Sequence, residues 1–398
     1  MSRKLLLGLD IGSSSIKLCQ LAETGTGLKL VKFDQCMLPP KAIVDGALID
    51  YRAVVEKLRE TARLNKCEGA QCAISMSGHN VIVKQISIPE MTQKELEESM
   101  QWEAEQYIPF DIKDVNVDVQ ILNPKAGYGQ MKVLFVVAKK DTINDYIHAV
   151  QEAGLRPVVV DIDTLAVQNA FDLNYGCPPN EVVALINVGA SCININVISN
   201  GITTFTRDIS NGGLLMTEET MKQLNVSWEE AMHYQIAGDD TVSDSGTELF
   251  REVRKLEERV SEILVTEIQR SLDFFAATTI NADIARIYLS GGASQPSAFI
   301  RALERRLKIP VEIINPFKNI SVDPSAFNPD LLRTMEPIAA VAVGLARRFK
   351  GDTRIGGNDV RINLCPSDTK SSRYSLGNPF KLPISVRIPF TKRVLTLS

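Results

Sequence analysis

The chain opens with apolar residues at alternate positions. Leu5–Asp10 and Ser15–Ala22 read as strands joined by a tight Gly12-Ser13-Ser14 turn, and a third strand fits Leu28–Cys36. Val54, Val55, Leu58 and Ala62 recur at helical spacing and predict a helix over Tyr51–Leu64. Strand Gln71–Ser75 closes this block. From Val81 a compact unit follows, with strand Val81–Ile86, helix Gln93–Tyr107, strands Val115–Leu122 and Met131–Ala138, and helix Thr142–Ala153. Thr92 with Glu95 three residues on is a capping box, and Gly154 is a helix stop. Strand Pro157–Ile162 and helix Leu165–Leu173 then return to the first pattern, so the unit between them reads as an insertion.

A turn-rich stretch, Asn174 to Asn180, leads to strands Val182–Asn187, Cys192–Ser199 and Gly201–Ile209. A long helix from Leu249 to about Ala277 carries Val253, Leu256, Val260, Ile263, Leu264, Ile268, Leu272 and Phe275 on one stripe. No strict heptad is kept, so the stripe predicts packing into its own domain rather than a coiled coil. Strand Ile284–Leu289 and helices Ser297–Leu307 and Glu336–Arg348 complete the body. The expected organisation has residues 1–79 with 156–175 as a first domain core and 80–155 as an inserted α/β subdomain. Residues 176–215 with 281–350 form a second core, 216–280 its helical subdomain, and 351–398 a tail.

The chain has 398 residues, more than one core usually serves, and no apolar run near the roughly eighteen residues of a membrane span. Its seven cysteines form no CxxC pair and read as reduced thiols beside only three histidines. Net charge is −4, but from Val360 onward seven basic residues face the single acid Asp368. The body is therefore acidic and unsuited to nucleic acid. The expected setting is the cytoplasm, with any membrane contact made through partners.

A repeat 177 positions apart carries the chemistry. Leu9-Asp10-Ile11-Gly12-Ser13-Ser14-Ser15-Ile16-Lys17-Leu18 matches Ile186-Asn187-Val188-Gly189-Ala190-Ser191-Cys192-Ile193-Asn194-Ile195. Each copy describes a buried strand, a glycine-containing turn and an antiparallel return strand. Small residues there let backbone N–H groups reach a phosphate, and Asp10 can hold Mg²⁺ through water. Two further glycine turns at strand exits, Gly212-Gly213 and Gly291-Gly292-Ala293-Ser294, suit phosphate and ribose contacts.

This set resembles the actin, Hsp70 and sugar-kinase superfamily: Gly8 to Lys17 its first phosphate motif, Asn187 to Ser191 its second, Leu289 to Ser294 its adenosine motif. Glu336 to Ala346 and Asp161 to Phe171 resemble its connecting helices, where small residues permit a close crossing. The insertion at Val81 to Gly154 resembles the FtsA-like branch. Glu103-Ala104-Glu105-Gln106-Tyr107-Ile108-Pro109-Phe110, Phe205 to Ile209 and Glu267 to Phe275 are similar to strings of the PilM family of type IV pilus assembly proteins. The resemblance implies an α/β, actin-like ATPase fold of two RNase-H-like domains, each with a subdomain. It also implies ATP and Mg²⁺ as ligands, held by Gly12, Ser13, Ser14, Lys17, Asn187, Gly189, Ala190, Ser191, Gly212, Gly213, Gly291, Gly292, Ala293 and Ser294. Asp10 and Asp163 are the candidate catalytic acids, Asp163 orienting a water unless it merely caps its helix. Asn187 departs from the usual aspartate, implying ATP binding with slow turnover, and restoring the carboxylate should raise hydrolysis.

The implied partner is the N-terminal cytoplasmic segment of the inner-membrane protein PilN. Its expected groove lies between the first core and the insertion and is lined by Glu103, Tyr107, Ile108, Pro109 and Phe110. Other pilus components are further possible partners, and the expected location is peripheral at the inner membrane. Val360 to Pro366 in the tail resembles the Ile-Asn-Leu-Leu-Pro segment of PilN, so the tail either docks in that groove or stays flexible. A self-polymerising filament of FtsA type and a small-molecule kinase are the competing readings.

Overall fold

The structure, a computed structural model, describes residues 5–176, 180–237, 248–280 and 282–349. The expectations for the tail and for part of the Asn174–Asn180 turn lie outside these residues.

β1 (Leu7–Ile11) and β2 (Ser15–Thr24) form the first hairpin, and β3 (Gly27–Met37) pairs antiparallel with β2. Next come β4 (Ile43–Val44) and β5 (Ala47–Leu48), a small hairpin around Asp45 and Gly46, both at positive φ. The Asp-Gly pair accepts that backbone readily. α1 (Tyr51–Leu64) follows, its N-cap Asp50 accepting from the Ala53 N–H at 3.0 Å, and then β6 (Gln71–Met76). Val54, Val55, Leu58 and Ala62 are all buried, so the helical spacing reports the core face.

The insertion contains β7 (Val81–Pro89), α2 (Gln93–Glu105), β8 (Val115–Gly127), β9 (Gln130–Lys139) and α3 (Lys140–Glu152). Its strand order is β7-β9-β8. The capping box forms, with the Thr92 N–H donating to Glu95 and the Glu95 N–H donating back to Thr92. β9 is apolar on both faces because both are covered. Val133, Phe135 and Val137 face Leu96 of α2, while Leu134, Val136 and Ala138 join the core of the first sheet with Ile143 and Val150 of α3.

β10 (Arg156–Ile162) returns to the first sheet, and α4 (Asp163–Tyr175) leaves it. β11 (Val182–Val188), β12 (Ile193–Ser199), β13 (Ile202–Ile209), α5 (Leu214–Leu224), α6 (Trp228–Ala237) and α7 (Glu248–Thr278) follow. The chain ends its described part with β14 (Ile284–Ser290), α8 (Ser297–Leu307), β15 (Val311–Ile313), β16 (Ile320–Ser321), α9 (Pro329–Met335) and α10 (Ala340–Ala346). Of the α7 stripe, Val260, Leu264, Ile268, Leu272 and Phe275 pack on the second sheet, Val253 and Leu256 are buried outside that cluster, and Ile263 stays 43% exposed.

Among the described residues the first sheet runs β10-β6-β1-β2-β3-β16 and the second β13-β12-β11-β14-β15. Read from the hairpin outward, β3-β2-β1-β6-β10 and β13-β12-β11-β14-β15 share one order and one set of directions. The short sequence repeat is thus the visible part of a duplicated sheet. The 281–350 stretch divides: β14, α8 and β15 serve the second sheet, whereas β16 pairs with β3 and α10 packs against the first.

The single helix expected over Glu336–Arg348 is shorter. A 3₁₀ turn at Glu336–Ile338 precedes α10, because Pro337 has no N–H for the helical ladder and fits only a first turn. α10 ends where Arg347 donates to the Asn169 carbonyl and Arg348 turns onto Asp161. α2 likewise stops at Glu105, two residues short of its expected end at Tyr107, as Tyr107 turns onto the Phe135 ring. α4 and α10 cross closely. A Cβ on Gly344 would lie 1.8 Å from the Ala166 carbonyl oxygen, and one on Gly8 would lie 2.2 Å from that of Ala342.

Candidate functional site: two facing hairpins

The two turns of the repeat share one geometry. The Gly12 N–H donates to the Ser15 carbonyl at 3.1 Å, and the Gly189 N–H donates to the Cys192 carbonyl at 2.9 Å. Asp10 stands opposite Lys17 in one hairpin and Asn187 opposite Asn194 in the other. The turns face each other, with the Ser13 and Ser191 hydroxyls 2.5 Å apart. The N–H groups of Ser13, Ser14, Ala190 and Ser191 meet no acceptor among the described residues. Backbone donors so placed on both sides of one seam form an anion nest.

The two glycine loops brace the second hairpin. The Gly213 N–H donates to the Gly189 carbonyl at 2.9 Å and the Leu214 N–H to that of Ala190 at 2.8 Å. A Cβ on Gly212 would come within 2.5 Å of both carbonyl oxygens, and one on Gly213 within 2.5 Å of the Ala293 methyl. Gly291, at φ 91°, lies against Val188 and donates to the Pro337 carbonyl. Gly292 has room for a side chain, its nearest neighbour being 3.6 Å away. The buried Ser294 hydroxyl donates to the Gly291 carbonyl at 2.7 Å, so it shapes its own loop.

The acids divide by environment. Asp10 is buried and pairs with Lys17 at 3.2 Å. Asp163 begins α4, but the cap position is Ile162 and no side chain caps the helix. Burial, with the Asp10 charge second, raises the Asp163 carboxyl to about 6, against the downward pull of the Ser75 and Ser77 hydroxyls. Asn187 points sideways within its own sheet: its amide donates to Asn194 Oδ1 at 3.0 Å and its Oδ1 accepts from the Ser290 hydroxyl at 3.1 Å. Asn194 in turn donates to Asp208 at 2.9 Å. Burial pushes the Asp208 carboxyl up, while the Asn194 and Gly78 donors hold it back. Sequence reading passed over Asp208 and Asn194. Their signal was two polar residues at paired positions of adjacent strands, Asn194 on the buried β12 and Asp208 on β13.

The residues expected to line a partner groove form a separate cluster on the insertion. Tyr107, Ile108 and Phe110 are half-buried on the face of β9 that carries Phe135, the side covered by α2. The Lys139 ammonium sits 4.7 Å above the Phe110 ring. Glu103 is half-buried on α2, Pro109 is exposed, and the neighbouring Trp102 is 69% exposed.

Twin sheets of one order, a hairpin turn at the same place in each, and a glycine-mediated helix crossing between them define an actin-like fold. The family description "Type IV pilus assembly protein PilM" matches residues 8–350, and the chain belongs to that family. A solved PilM-PilN type IV pilus biogenesis complex contains a chain 26% identical to this one. It superposes at a TM-score of 0.76, with 86% of this chain and 98% of that one covered. The ethanolamine utilization protein EutJ of Carboxydothermus hydrogenoformans, 16% identical with a TM-score of 0.50 over 86% of this chain and 88% of that one, shares the fold. Cell division protein FtsA of Bacillus subtilis is 23% identical over 258 residues, which are 58% of this chain and 57% of FtsA. The chain thus spans little more than half of that relative's length. No helix among the described residues is long and apolar enough to cross a membrane.

Proposed function

We propose that this protein is an ATP-binding scaffold of the type IV pilus machine. It docks the N-terminal segment of PilN and passes nucleotide-dependent changes to that partner. The observation that carries the nucleotide reading is the pair of facing turns, whose Ser13, Ser14, Ala190 and Ser191 N–H groups meet no acceptor among the described residues and whose serine hydroxyls meet at the seam. There the N–H groups of Ser13, Ser14, Ala190 and Ser191 would bind the β- and γ-phosphates, with the Lys17 ammonium as counter-charge. The Gly212-Gly213 and Gly291–Ser294 loops would receive ribose and adenine. Asp10 would hold Mg²⁺ through water, and the bound ion would neutralise phosphate charge. A carboxyl raised to about 6 lets Asp163 orient a water and accept its proton near neutral pH. With Asn187 in place of an acid, turnover is slow and ATP acts as a conformational ligand.

The match to a chain solved in a PilM-PilN complex supports PilN as the partner and a position at the inner membrane held through that partner. Tyr107, Ile108 and Phe110 supply half-buried apolar surface of the kind that anchors a short peptide. The test is a titration with a PilN N-terminal peptide, with and without ATP. Tyr107→Ala with Phe110→Ala should weaken peptide binding at least about tenfold and leave ATP affinity intact. Equal loss of both, or of neither, rejects the division of labour.

A further inference from the structure

A chain of side-chain hydrogen bonds runs from the second phosphate turn to the root of the insertion. The Ser290 hydroxyl donates to Asn187 Oδ1 at 3.1 Å, Asn187 Nδ2 to Asn194 Oδ1 at 3.0 Å, and Asn194 Nδ2 to Asp208 Oδ1 at 2.9 Å. The other Asp208 oxygen accepts from the Gly78 backbone N–H at 2.7 Å, across 130 positions of sequence. Gly78, at φ 79°, opens the 3₁₀ turn that leads into β7, the first strand of the insertion. Two bonds flank this contact: Ser210 Oγ lies 2.7 Å from His79 Nε2, and the Thr206 hydroxyl donates to the Val83 carbonyl at 2.7 Å. β13 therefore clasps the base of the subdomain that carries Tyr107 and Phe110.

The direction of every link follows from its end. An ionised Asp208 can only accept, so Asn194 must turn its amide N–H₂ toward it and present its oxygen to residue 187. Residue 187 must then be a donor on that side and an acceptor toward Ser290, which asparagine satisfies and an ionised aspartate does not. An aspartate at 187 would set acceptor against acceptor at one of the two joints. The amide that weakens a metal site is the group that completes the chain.

We propose that Asp208 is a positioning residue that couples the second phosphate turn to the inserted subdomain through the Asn187–Asn194–Asp208–Gly78 chain. The proposal rests on the nucleotide reading above and names the route by which that site reaches the docking surface. Asp208 touches none of the groups assigned to the nucleotide. Its loss should leave binding in place and remove the response.

The test is hydrogen exchange in the full chain over residues 77–84, with and without Mg·ATP, alongside titration with a fluorescent ATP analogue. In the native protein Mg·ATP changes exchange over 77–84. In Asn194→Leu that change disappears while analogue affinity stays within about twofold. Without nucleotide, Asp208→Ala speeds exchange of the segment roughly tenfold, the loss of a charge-assisted bond. Asp208→Asn retains the response, because an amide at 208 lets the whole chain reverse its polarity and stay joined. A nucleotide response preserved in Asn194→Leu, or unchanged exchange in Asp208→Ala, overturns the proposal. If the native protein fails to bind the analogue, the nucleotide reading falls. The Asp208→Ala comparison without nucleotide then still decides whether the clasp exists.

Discussion

Asp163→Asn removes a charge that the fold holds unfavourably. The Asp163 carboxyl is raised from 3.8 to about 6, by burial first and the Asp10 charge second. A raised acid means that the native state binds protons more tightly than the unfolded chain. Stability therefore falls as pH rises through the window from 3.8 to about 6 and stays reduced above it. The gap sets a ceiling of about 3 kcal/mol, and solvent reaching the incompletely buried carboxyl cuts this to roughly 1–2 kcal/mol. Asparagine is close to isosteric with aspartate and carries no charge. At pH 8 the variant should melt about 2–8 °C higher than the native protein. The difference should shrink steadily toward pH 4.5, and any hydrolysis of ATP should fall. Thermal unfolding followed by circular dichroism across that range is the assay. A variant less stable at pH 8, or a gain independent of pH, would show that the carboxylate anchors structure rather than storing strain for chemistry.

Three further outcomes test the frame around the site. Arg348 and Asp161 form a buried ion pair, so Arg348→Met should destabilise by about 3–5 kcal/mol and the double change Arg348→Met with Asp161→Leu should recover most of it, measured by urea unfolding. Gly344→Ala would drive a methyl into the Ala166 carbonyl at the helix crossing and cost at least about 2 kcal/mol, whereas Gly25→Ala, with open space around it, should be neutral in the same melt. Gly213→Ala, aimed at the Ala293 methyl, should lower ATP affinity in a fluorescence titration, while Gly25→Ala, remote from the turns, leaves it unchanged.

The twin sheets were legible because a strand–turn–strand repeat leaves the same mark twice. Asp10 and Asn187 occupy equal places in sequence and in register. The insertion was legible as a change of period beginning at Val81, although the face on which Tyr107 and Phe110 rest was not, since β9 is apolar on both sides. β16 and α9 escaped because a two-residue strand and a seven-residue helix hold too few positions to display a period. The Asp208 clasp escaped for another reason. Its partner is the backbone of Gly78, and a backbone acceptor or donor leaves no trace in residue type. The amide at 187 reads in sequence as a missing charge; only the register with Asn194 gives it a partner.

The most direct measurement is ATP binding by calorimetry in the native protein and in a variant carrying Ser13→Glu and Ser191→Glu. These place a carboxylate on each facing turn, where the hydroxyls now meet. A triphosphate gripped between the turns requires that native binding be lost in the variant while thermal unfolding shows an intact fold. Undiminished affinity in a folded variant would contradict the account, because the nucleotide would then lie somewhere other than the seam.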